Sequence, residues 1–369
     1  MVGKRKRLQR PVATEPVSLL DVAHRAACST ASVSRVLNQP DLVKPALRAR
    51  VQEAMRELGY VPNSAARALR SRRTHIMGIV IPTLDYAIYA RLVEGLQRRL
   101  LHHGYSLLVA TSEYDLPAEE DRARLLIERG VEGLVLVGDT HHAELYEHLE
   151  AGGIPYVNTY VYRADGLHPC VGFDNRRVSA DVTRFLLSLG HRAFGVISAP
   201  TAGNDRASER VAGVRAMLEE HGLALGGDAV YERPYAIASG REGFRYLMQA
   251  RVPPTAIVCG NDVLAIGALI EARAMGVRVP EQVSIVGFDN LEMAANVDPP
   301  LTTVDVPATE MGERAADFLA ARVAHESVLR SVPIEPTLIA RRTTGPAPHA
   351  VGPAPAARGL RARSRANAR

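Results

Sequence analysis

Positions 29–38 hold a short run of small polar side chains with one arginine, a composition suited to contact with DNA bases. On a helix, side chains of this size let the backbone lie deep in the major groove, and Arg35 can reach a guanine edge or a phosphate. Val33, Val36 and Leu37 supply an apolar face on the opposite side. We therefore predict a DNA-contacting face made of Ser29, Thr30, Ala31, Ser32, Ser34, Arg35 and Asn38.

Two further helices are needed to hold that face. The apolar residues at positions 19, 22, 23 and 26 follow the spacing of one helix face. Ser18 stands where a capping oxygen is needed, and Asp21 complements the helix N-terminus. A break at 27–29 and a third helix from Pro45 to Leu58, ended by Gly59, complete a helix-turn-helix pattern. We count Ser18 among the predicted DNA contacts.

The stretch SLLDVAHRA-x3-TASVSRVLN, the third helix and GYVPNSAARALRS together resemble the DNA-binding headpiece and hinge of the lactose-repressor (LacI/GalR) family. The resemblance continues, more thinly, to about Thr344. It implies a sequence-specific DNA-binding transcriptional regulator, most often a repressor, whose operator affinity a small molecule controls. Ala27 stands where the family usually has glycine, in a turn that favours a left-handed residue, at a cost on the order of 1 kcal/mol.

The segment from Pro62 to Ser71 is predicted to be a hinge helix, too short to be stable alone in water. In the resembled family two such hinges pair in the minor groove and wedge a leucine into the central base step. Leu69 matches that wedge and Ala66 the position that packs on the partner hinge. Asn63, Arg67 and Arg70 supply phosphate donors around the leucine. The alternative is an ordinary interdomain helix with one core leucine.

Charge is spread unevenly along the chain. Residues 1–75 carry 15 Lys and Arg against 5 Asp and Glu, and residues 346–369 carry five arginines and no acid. With a net charge of +5 overall, +10 in the head and +5 in the tail, residues 76–345 carry −10. A basic head on an acidic body is typical of a protein that binds a polyanion with one end. The alternative is a basic head that is merely a solvated surface.

From Ile76 onwards, short apolar runs alternate with amphipathic helical stretches, which is typical of βαβ units and parallel sheets covered by helices. The region resembles the periplasmic-binding-protein-like core of the same family. We therefore predict an α/β protein with an N-terminal all-α helix-turn-helix headpiece and hinge helix, followed by a two-subdomain doubly wound core.

The predicted domain bounds follow from this organisation. A basic disordered arm takes 1–16, the headpiece 17–61, the hinge 62–74, the effector-binding and dimerisation core 75–344, and a disordered basic tail 345–369. Within the core, the N-subdomain takes about 75–173 and 304–331, and the C-subdomain about 174–303 and 332–344. The arm either adds phosphate contacts or is a dispensable extension.

Ligands in doubly wound sheets bind beyond the carboxyl ends of the strands, so polar residues that follow strands are effector candidates. Asp85, Tyr86 and Tyr89 follow the first predicted strand, and Tyr162 and Arg163 follow the fourth. A tyrosine face can cover a ring, and an arginine offers a fork to a carboxylate, a phosphate or vicinal hydroxyls. The alternative for these residues is a purely structural role.

The family resemblance adds four further effector candidates. Arg210, in SERVAG, matches the arginine that holds the effector, and Asn261 and Asp289 match two other frequent ligand positions. Tyr235 matches a site that often holds an aromatic residue. The alternative for Arg210 and Asp289 is a structural ion pair across the cleft.

We expect double-stranded DNA with a palindromic operator, a small-molecule effector that is by default a sugar, and a second copy of the chain as partners. A homodimer is expected because one headpiece reads too few bases for useful specificity.

The three cysteines have no paired or metal-type spacing. We therefore expect a reducing cytoplasm as the location and neither a metal nor another cofactor. No apolar run approaches the ~20 residues that span a bilayer, and KRKR at the start is not a signal region. We therefore expect a bacterial cytoplasmic, nucleoid-associated protein.

Two other function classes were open at the level of the sequence. A sugar-binding receptor without a DNA role would not need the headpiece. A doubly wound enzyme is not favoured, because the sequence has no Gly-x-Ser-x-Gly elbow, Walker loop, metal set or dinucleotide fingerprint.

Overall fold

The computed structural model describes residues 17–61 and 73–348. They belong to two compact units that divide between Thr74 and His75. The predicted arm, most of the hinge and most of the tail lie outside the described residues. The hinge candidates Asn63, Ala66, Leu69 and Arg70 lie outside them too.

The first unit contains three α-helices within residues 17–61, and the predicted caps that begin and end them are confirmed. Ser18 caps the first helix in a reciprocal capping box with Asp21, and Gly59, at φ +62°, ends the third. Val22, Val33 and Val51, one from each helix, are fully buried and form the centre of the small core. The helices are α1 (Leu19–Arg25), α2 (Thr30–Asn38) and α3 (Pro45–Leu58).

The second unit contains two six-stranded sheets with helices between their strands. The strands are β1 (Ile76–Ile81), β2 (Ser106–Thr111), β3 (Leu134–Val137), β4 (Tyr156–Thr159), β5 (Cys170–Gly172), β6 (Phe194–Ser198), β7 (Val230–Glu232), β8 (Ala256–Cys259), β9 (Ser284–Phe288), β10 (Thr302–Asp305), β11 (Ser331–Pro333) and β12 (Thr337–Ile339). The helices are α4 (Ala87–His102), α5 (Leu116–Glu128), α6 (Ala143–Ala151), α7 (Asn175–Ser188), α8 (Asp205–Glu220), α9 (Ile237–Met248), α10 (Asp262–Ala274), α11 (Glu292–Asn296) and α12 (Ala308–Val323).

The first sheet has the order β11-β5-β4-β3-β1-β2 and the second β12-β10-β9-β8-β6-β7. Neighbouring strands are parallel except β10 and β12, which pair antiparallel. The chain therefore changes sheets after β5, after β10 and between β11 and β12. The predicted two-sheet doubly wound fold is confirmed, and the domain bounds themselves stay predictions.

Close helix pairs cover the sheets: α4 with α12, α7 with α8, and α9 with α10. Gly213 of α8 illustrates how near the backbones come, since a Cβ at that position would lie 2.2 Å from the carbonyl oxygen of Arg176. Only a residue without a side chain allows that approach. This packing places α8, the helix that carries Arg210, directly against α7.

Candidate functional site

The candidate DNA-reading surface is one face of α2. Ser29 caps this helix, its Oγ accepting from the Ser32 backbone N–H at 3.1 Å. Val33 and Val36 are 0% and 5% exposed and anchor the opposite face in the headpiece core. Ala27, in the turn before the helix, has φ +43°, which confirms that this turn requires a positive φ.

The predicted DNA contacts lie on the accessible side of that helix or at its start. Ser29, Thr30, Ala31 and Arg35 are exposed, and Ser32 and Ser34 are half-buried. Asn38 ends the helix, and its side chain is not described. Ser18 lies at the start of α1, where its hydroxyl donates to Asp21 at 2.7 Å and accepts from the Asp21 N–H.

The candidate effector site is a small cavity at the carboxyl ends of strands from both sheets, with a volume of about 30 Å³. That volume holds water but no organic molecule. A larger cavity of about 260 Å³ adjoins it and shares Tyr86, Tyr114, Asn204 and Tyr235 with it. The small cavity is lined by Tyr86, Ile88, Tyr89, Tyr114, Tyr160, Asn204, Arg206, Arg210, Tyr235, Asn261 and Asp289.

Six of the nine predicted effector residues meet at this cavity: Tyr86, Tyr89, Arg210, Tyr235, Asn261 and Asp289. The structure does not bring the other three there. Asp85 is exposed, Tyr162 is half-buried elsewhere, and Arg163 is exposed. The Arg163 guanidinium instead forms ion pairs with Asp139 at 2.9 Å and Glu209 at 3.7 Å.

The sequence reasoning missed five lining residues, namely Ile88, Tyr114, Tyr160, Asn204 and Arg206. A signal was available for some of them. Tyr160 directly follows β4, and Tyr114 lies three residues after β2. Asn204 and Arg206 begin the helix that carries Arg210. All four residues follow the carboxyl end of a strand, which is where ligands bind in doubly wound sheets.

Arg210 is 9% exposed and is held by neutral acceptors. Its Nε donates to Asn175 Oδ1 at 2.9 Å, and its Nη1 donates to the Gly260 carbonyl oxygen at 2.5 Å. The guanidinium carbon lies 4.1 Å from the centre of the Phe288 ring. The alternative of an ion pair with Asp289 is not seen, because no carboxylate of the described residues lies within salt-bridge distance of Arg210.

Arg206 is 8% exposed and links the two sheets. Its Nη1 donates to the Val137 carbonyl oxygen at 3.0 Å and to Asp205 at 2.7 Å. Burial lowers the pKa of Arg206, but Asp205 and nearby tyrosines raise it above its usual value, so the side chain is charged. Gly138 makes room for it, since a Cβ there would lie 1.8 Å from Nη1.

Asp289 is the one carboxylate among the lining residues. Burial raises its pKa to about 8; Arg210 and Arg91 oppose that rise, and Asp262 adds to it. Burial also raises the pKa of Asp262 to about 7, although the carboxylate accepts from the Thr303 hydroxyl at 2.5 Å and from the Leu291 N–H at 2.7 Å. Because these bonds favour ionised Asp262, the first proton taken up by the pair belongs to Asp289.

Further hydrogen bonds cross from one sheet to the other around the cavity. The Tyr86 hydroxyl donates to the Tyr235 carbonyl oxygen at 2.6 Å, and the Arg91 Nη1 donates to the Asn290 carbonyl oxygen at 3.1 Å. A molecule bound here would contact residues of both sheets. It would therefore bias their relative position.

Within residues 17–61 and 73–348, no group of His, Cys, Asp and Glu side chains is arranged to hold a metal ion. None of the helices in the same ranges is long and apolar enough to cross a membrane.

Comparison with known proteins agrees with both parts of the structure. Residues 18–63 match the bacterial regulatory proteins of the lacI family, and residues 183–344 match the periplasmic binding protein-like domain. The repressor CytR of Escherichia coli (strain K12) is 30% identical over 298 residues, covering 81% of this chain and 87% of CytR. The chain belongs to the lacI family. It is a DNA-binding transcriptional regulator with an effector-binding core, and it is not an enzyme.

Solved structures of lacI-family members have the same fold. A lacI-family regulator from Silicibacter pomeroyi superposes with a TM-score of 0.81 at 27% identity, covering 89% of this chain and all of that one. The Lac repressor dimer bound to operator and the anti-inducer ONPF superposes with a TM-score of 0.80 at 26% identity, covering 90% of this chain and 100% of that one.

Proposed function

We propose that this regulator is a repressor controlled by a sugar or a related small metabolite. The ligand binds between the two sheets, in the small cavity together with the larger cavity that adjoins it. The observation that carries the proposal is the cavity itself, where aromatic and polar side chains from the carboxyl ends of both sheets converge. Tyrosine faces suit a ring, while Arg210, Asn261 and Asp289 suit hydroxyl groups.

The proposed control follows from where the cavity lies. A ligand that contacts both sheets favours one relative position of the two, and a ligand can shift an equilibrium only by its difference in affinity for the two states. Allosteric couplings of this kind are worth about 1–3 kcal/mol, or about 5- to 150-fold in affinity. We infer that the ligand-dependent change in the relative position of the sheets affects DNA binding through the hinge candidates, with Leu69 inserted into the minor groove.

On DNA, we propose that Arg35 and the small residues of α2 read the major groove of each half-site. Two copies of the chain are required, because paired hinges and a palindromic operator need a two-fold arrangement. The Lac repressor, a structural relative, is a dimer on its operator. We place the protein in the bacterial cytoplasm at the nucleoid, where operator DNA is found.

The DNA part is tested by selecting genomic DNA fragments with the purified full-length chain at two salt concentrations. We expect a palindrome whose half-sites fit one dimer and whose recovery survives the higher salt. Recovery of only sequence-independent, salt-sensitive fragments would refute a specific operator, because polycation binding alone behaves that way.

The effector part is tested on the selected operator with metabolites suggested by the neighbouring genes. The Arg210→Ala chain should lose the ligand-dependent change in operator affinity, because Arg210 is a buried cation of the cavity. Arg215→Ala is the matched control, since Arg215 is exposed on the same helix and does not line the cavity. An unchanged ligand response in Arg210→Ala would remove Arg210 from the site.

A further inference from the structure

The cavity contains two buried cations, and their charges are balanced to different extents. Arg206 pairs with Asp205, and both side chains are about 10% exposed. Arg210 bonds only to an amide oxygen and a carbonyl oxygen, and no carboxylate of the described residues pairs with it. A buried charge without an ionic partner is costly, so Arg210 has a strong preference for a negative ligand atom.

Both guanidinium groups also keep donors that the protein does not use. Arg206 employs only Nη1, and Arg210 employs Nε and Nη1, in hydrogen bonds to the described part of the chain. Nε and Nη2 of Arg206 and Nη2 of Arg210 are therefore left without a protein acceptor there. Guanidinium donors of this kind match the oxygens of a carboxylate or a phosphate.

The neighbouring polar groups are donors as well. Asn204 and Asn261 use their side-chain oxygens to cap α8 and α10, at 3.3 Å from Ala207 N and 2.9 Å from Leu264 N. Their amide N–H groups are left for a ligand. Burial raises the pKa of Tyr235 to about 12, with Arg210 opposing the rise, so this tyrosine is a neutral hydroxyl.

Asp289 does not offset this excess of donors. It is 5% exposed, its carboxyl accepts no hydrogen bond from any described residue, and its raised pKa leaves it mostly protonated at neutral pH. Since Asp205 balances the charge of Arg206, the charge of Arg210 is then the one buried positive charge of the cavity that no carboxylate of the described residues balances. A neutral polyol could use these donors but would leave the charge of Arg210 buried and unbalanced.

We propose that the effector carries an oxyanion, a carboxylate or a phosphate, which Arg206 and Arg210 bind together. The remainder of the molecule lies toward the adjoining cavity, whose tyrosines Tyr86, Tyr114 and Tyr235 provide faces for a ring. That cavity, about 260 Å³, is near the lower end of small-molecule sites, roughly 300–1,000 Å³. The effector is thus the size of a monosaccharide acid or a monosaccharide phosphate. This inference rests on the proposed function, because it names the chemistry of the same site.

The test compares matched pairs of neutral and acidic compounds on the full-length chain. The pairs are glucose with gluconate, glucuronate and glucose 6-phosphate, and ribose with ribonate and ribose 5-phosphate. Sodium sulfate and sodium phosphate are measured against sodium chloride of equal ionic strength. Thermal stability and calorimetric affinity are recorded, followed by operator titration with each compound that binds.

We expect at least one acidic compound to bind tenfold or more tightly than its neutral counterpart. The Arg206→Gln chain should lose about tenfold to a hundredfold of that affinity, the value of a hydrogen bond to a charged group. Arg215→Gln, on the exposed side of the same helix, should bind as the unsubstituted chain does. Preference for the carboxylates or for the phosphates then identifies which oxyanion the site takes.

Two results would overturn the proposal. One is a neutral compound that binds more tightly than its acidic counterparts; if it also changes operator affinity, the proposed function stands and only the oxyanion is refuted. The other is a complete lack of Arg206-dependent stabilisation by every acid, by sulfate and by phosphate. If the Arg206→Gln chain fails to fold, the proposal is tested by comparing the affinities of the neutral and acidic compounds for the unsubstituted chain. An acid that binds without changing operator affinity supports the oxyanion and refutes the proposed control.

Discussion

Replacing Asp289 with asparagine tests whether the cavity holds a carboxyl group that resists ionisation. Asp289 is 5% exposed, and burial raises its pKa from 3.8 to about 8. The folded protein therefore binds this proton more tightly than the unfolded chain does. Between about pH 4 and pH 8 the folded state holds one proton more, so the free energy of unfolding falls as pH rises through that window. Asparagine has nearly the same shape and does not titrate.

The size of the effect follows from the shift. A rise of about four pKa units at 1.36 kcal/mol per unit sets an upper limit on the order of 5 kcal/mol. Part of this free energy belongs to the pair of carboxyl groups rather than to Asp289 alone, since the charge of Asp262 raises the pKa of Asp289. We expect the unsubstituted chain to lose several kcal/mol relative to Asp289→Asn between pH 5 and pH 9.

The measurement is urea denaturation of both full-length chains at a series of pH values. The chain has no tryptophan, so circular dichroism is the suitable signal. Asp262→Asn is a second comparison, because removal of the neighbouring charge should move the Asp289 titration to lower pH. Parallel stability curves for the unsubstituted chain and Asp289→Asn would refute the argument, since they would mean that Asp289 binds its proton equally in both states.

Three other substitutions have defined outcomes. Arg35→Ala should cost about 1–3 kcal/mol of operator affinity and relax the preference at one base pair. Titration of single-base operator variants measures both effects. An equal loss of affinity on all sequences would make Arg35 a phosphate contact. Gly213→Ala should lower the melting temperature of the core, because the added Cβ would lie 2.2 Å from the Arg176 carbonyl oxygen. Overpacking of this kind costs about 1–3 kcal/mol. An unchanged melting curve would show that α7 and α8 can separate freely. Leu69→Ala should weaken operator binding while effector affinity is kept, and equal operator affinity in the two chains would exclude the leucine wedge.

The headpiece could be predicted from the sequence almost residue by residue, because its determinants are local. A serine with an aspartate three residues later begins α1, and Gly59 ends α3. These interactions act within four residues of chain and need no distant partner. The break in the helical pattern at 27–29 was predicted for the same reason, whereas the positive φ of Ala27 was expected from the family resemblance.

Seven strands were also predictable, because short apolar, β-branched runs that alternate with amphipathic helical stretches are typical of buried strands. These are β1, β2, β3, β4, β6, β8 and β9. The strands β5, β7, β10, β11 and β12 were not predicted. Four of them are only three residues long, and β10 has four residues that are mostly polar. Such strands exist because a neighbouring strand pairs with them. For β11 the partner is β5, more than 150 residues earlier in the chain.

At the cavity, the sequence and the family resemblance identified Arg210, Asn261 and Asp289, but the tertiary structure decided which nearby residues join them. Tyr160 has φ +62°, which turns the chain after β4, and it is Tyr160 rather than Tyr162 that lines the cavity. Arg206 lines it because its side chain reaches from α8 to the opposite sheet at Val137. Local residue types therefore determined the helices of the headpiece and most of the longer strands. The charge balance of the cavity was decided only when two sheets, far apart in sequence, were packed against each other.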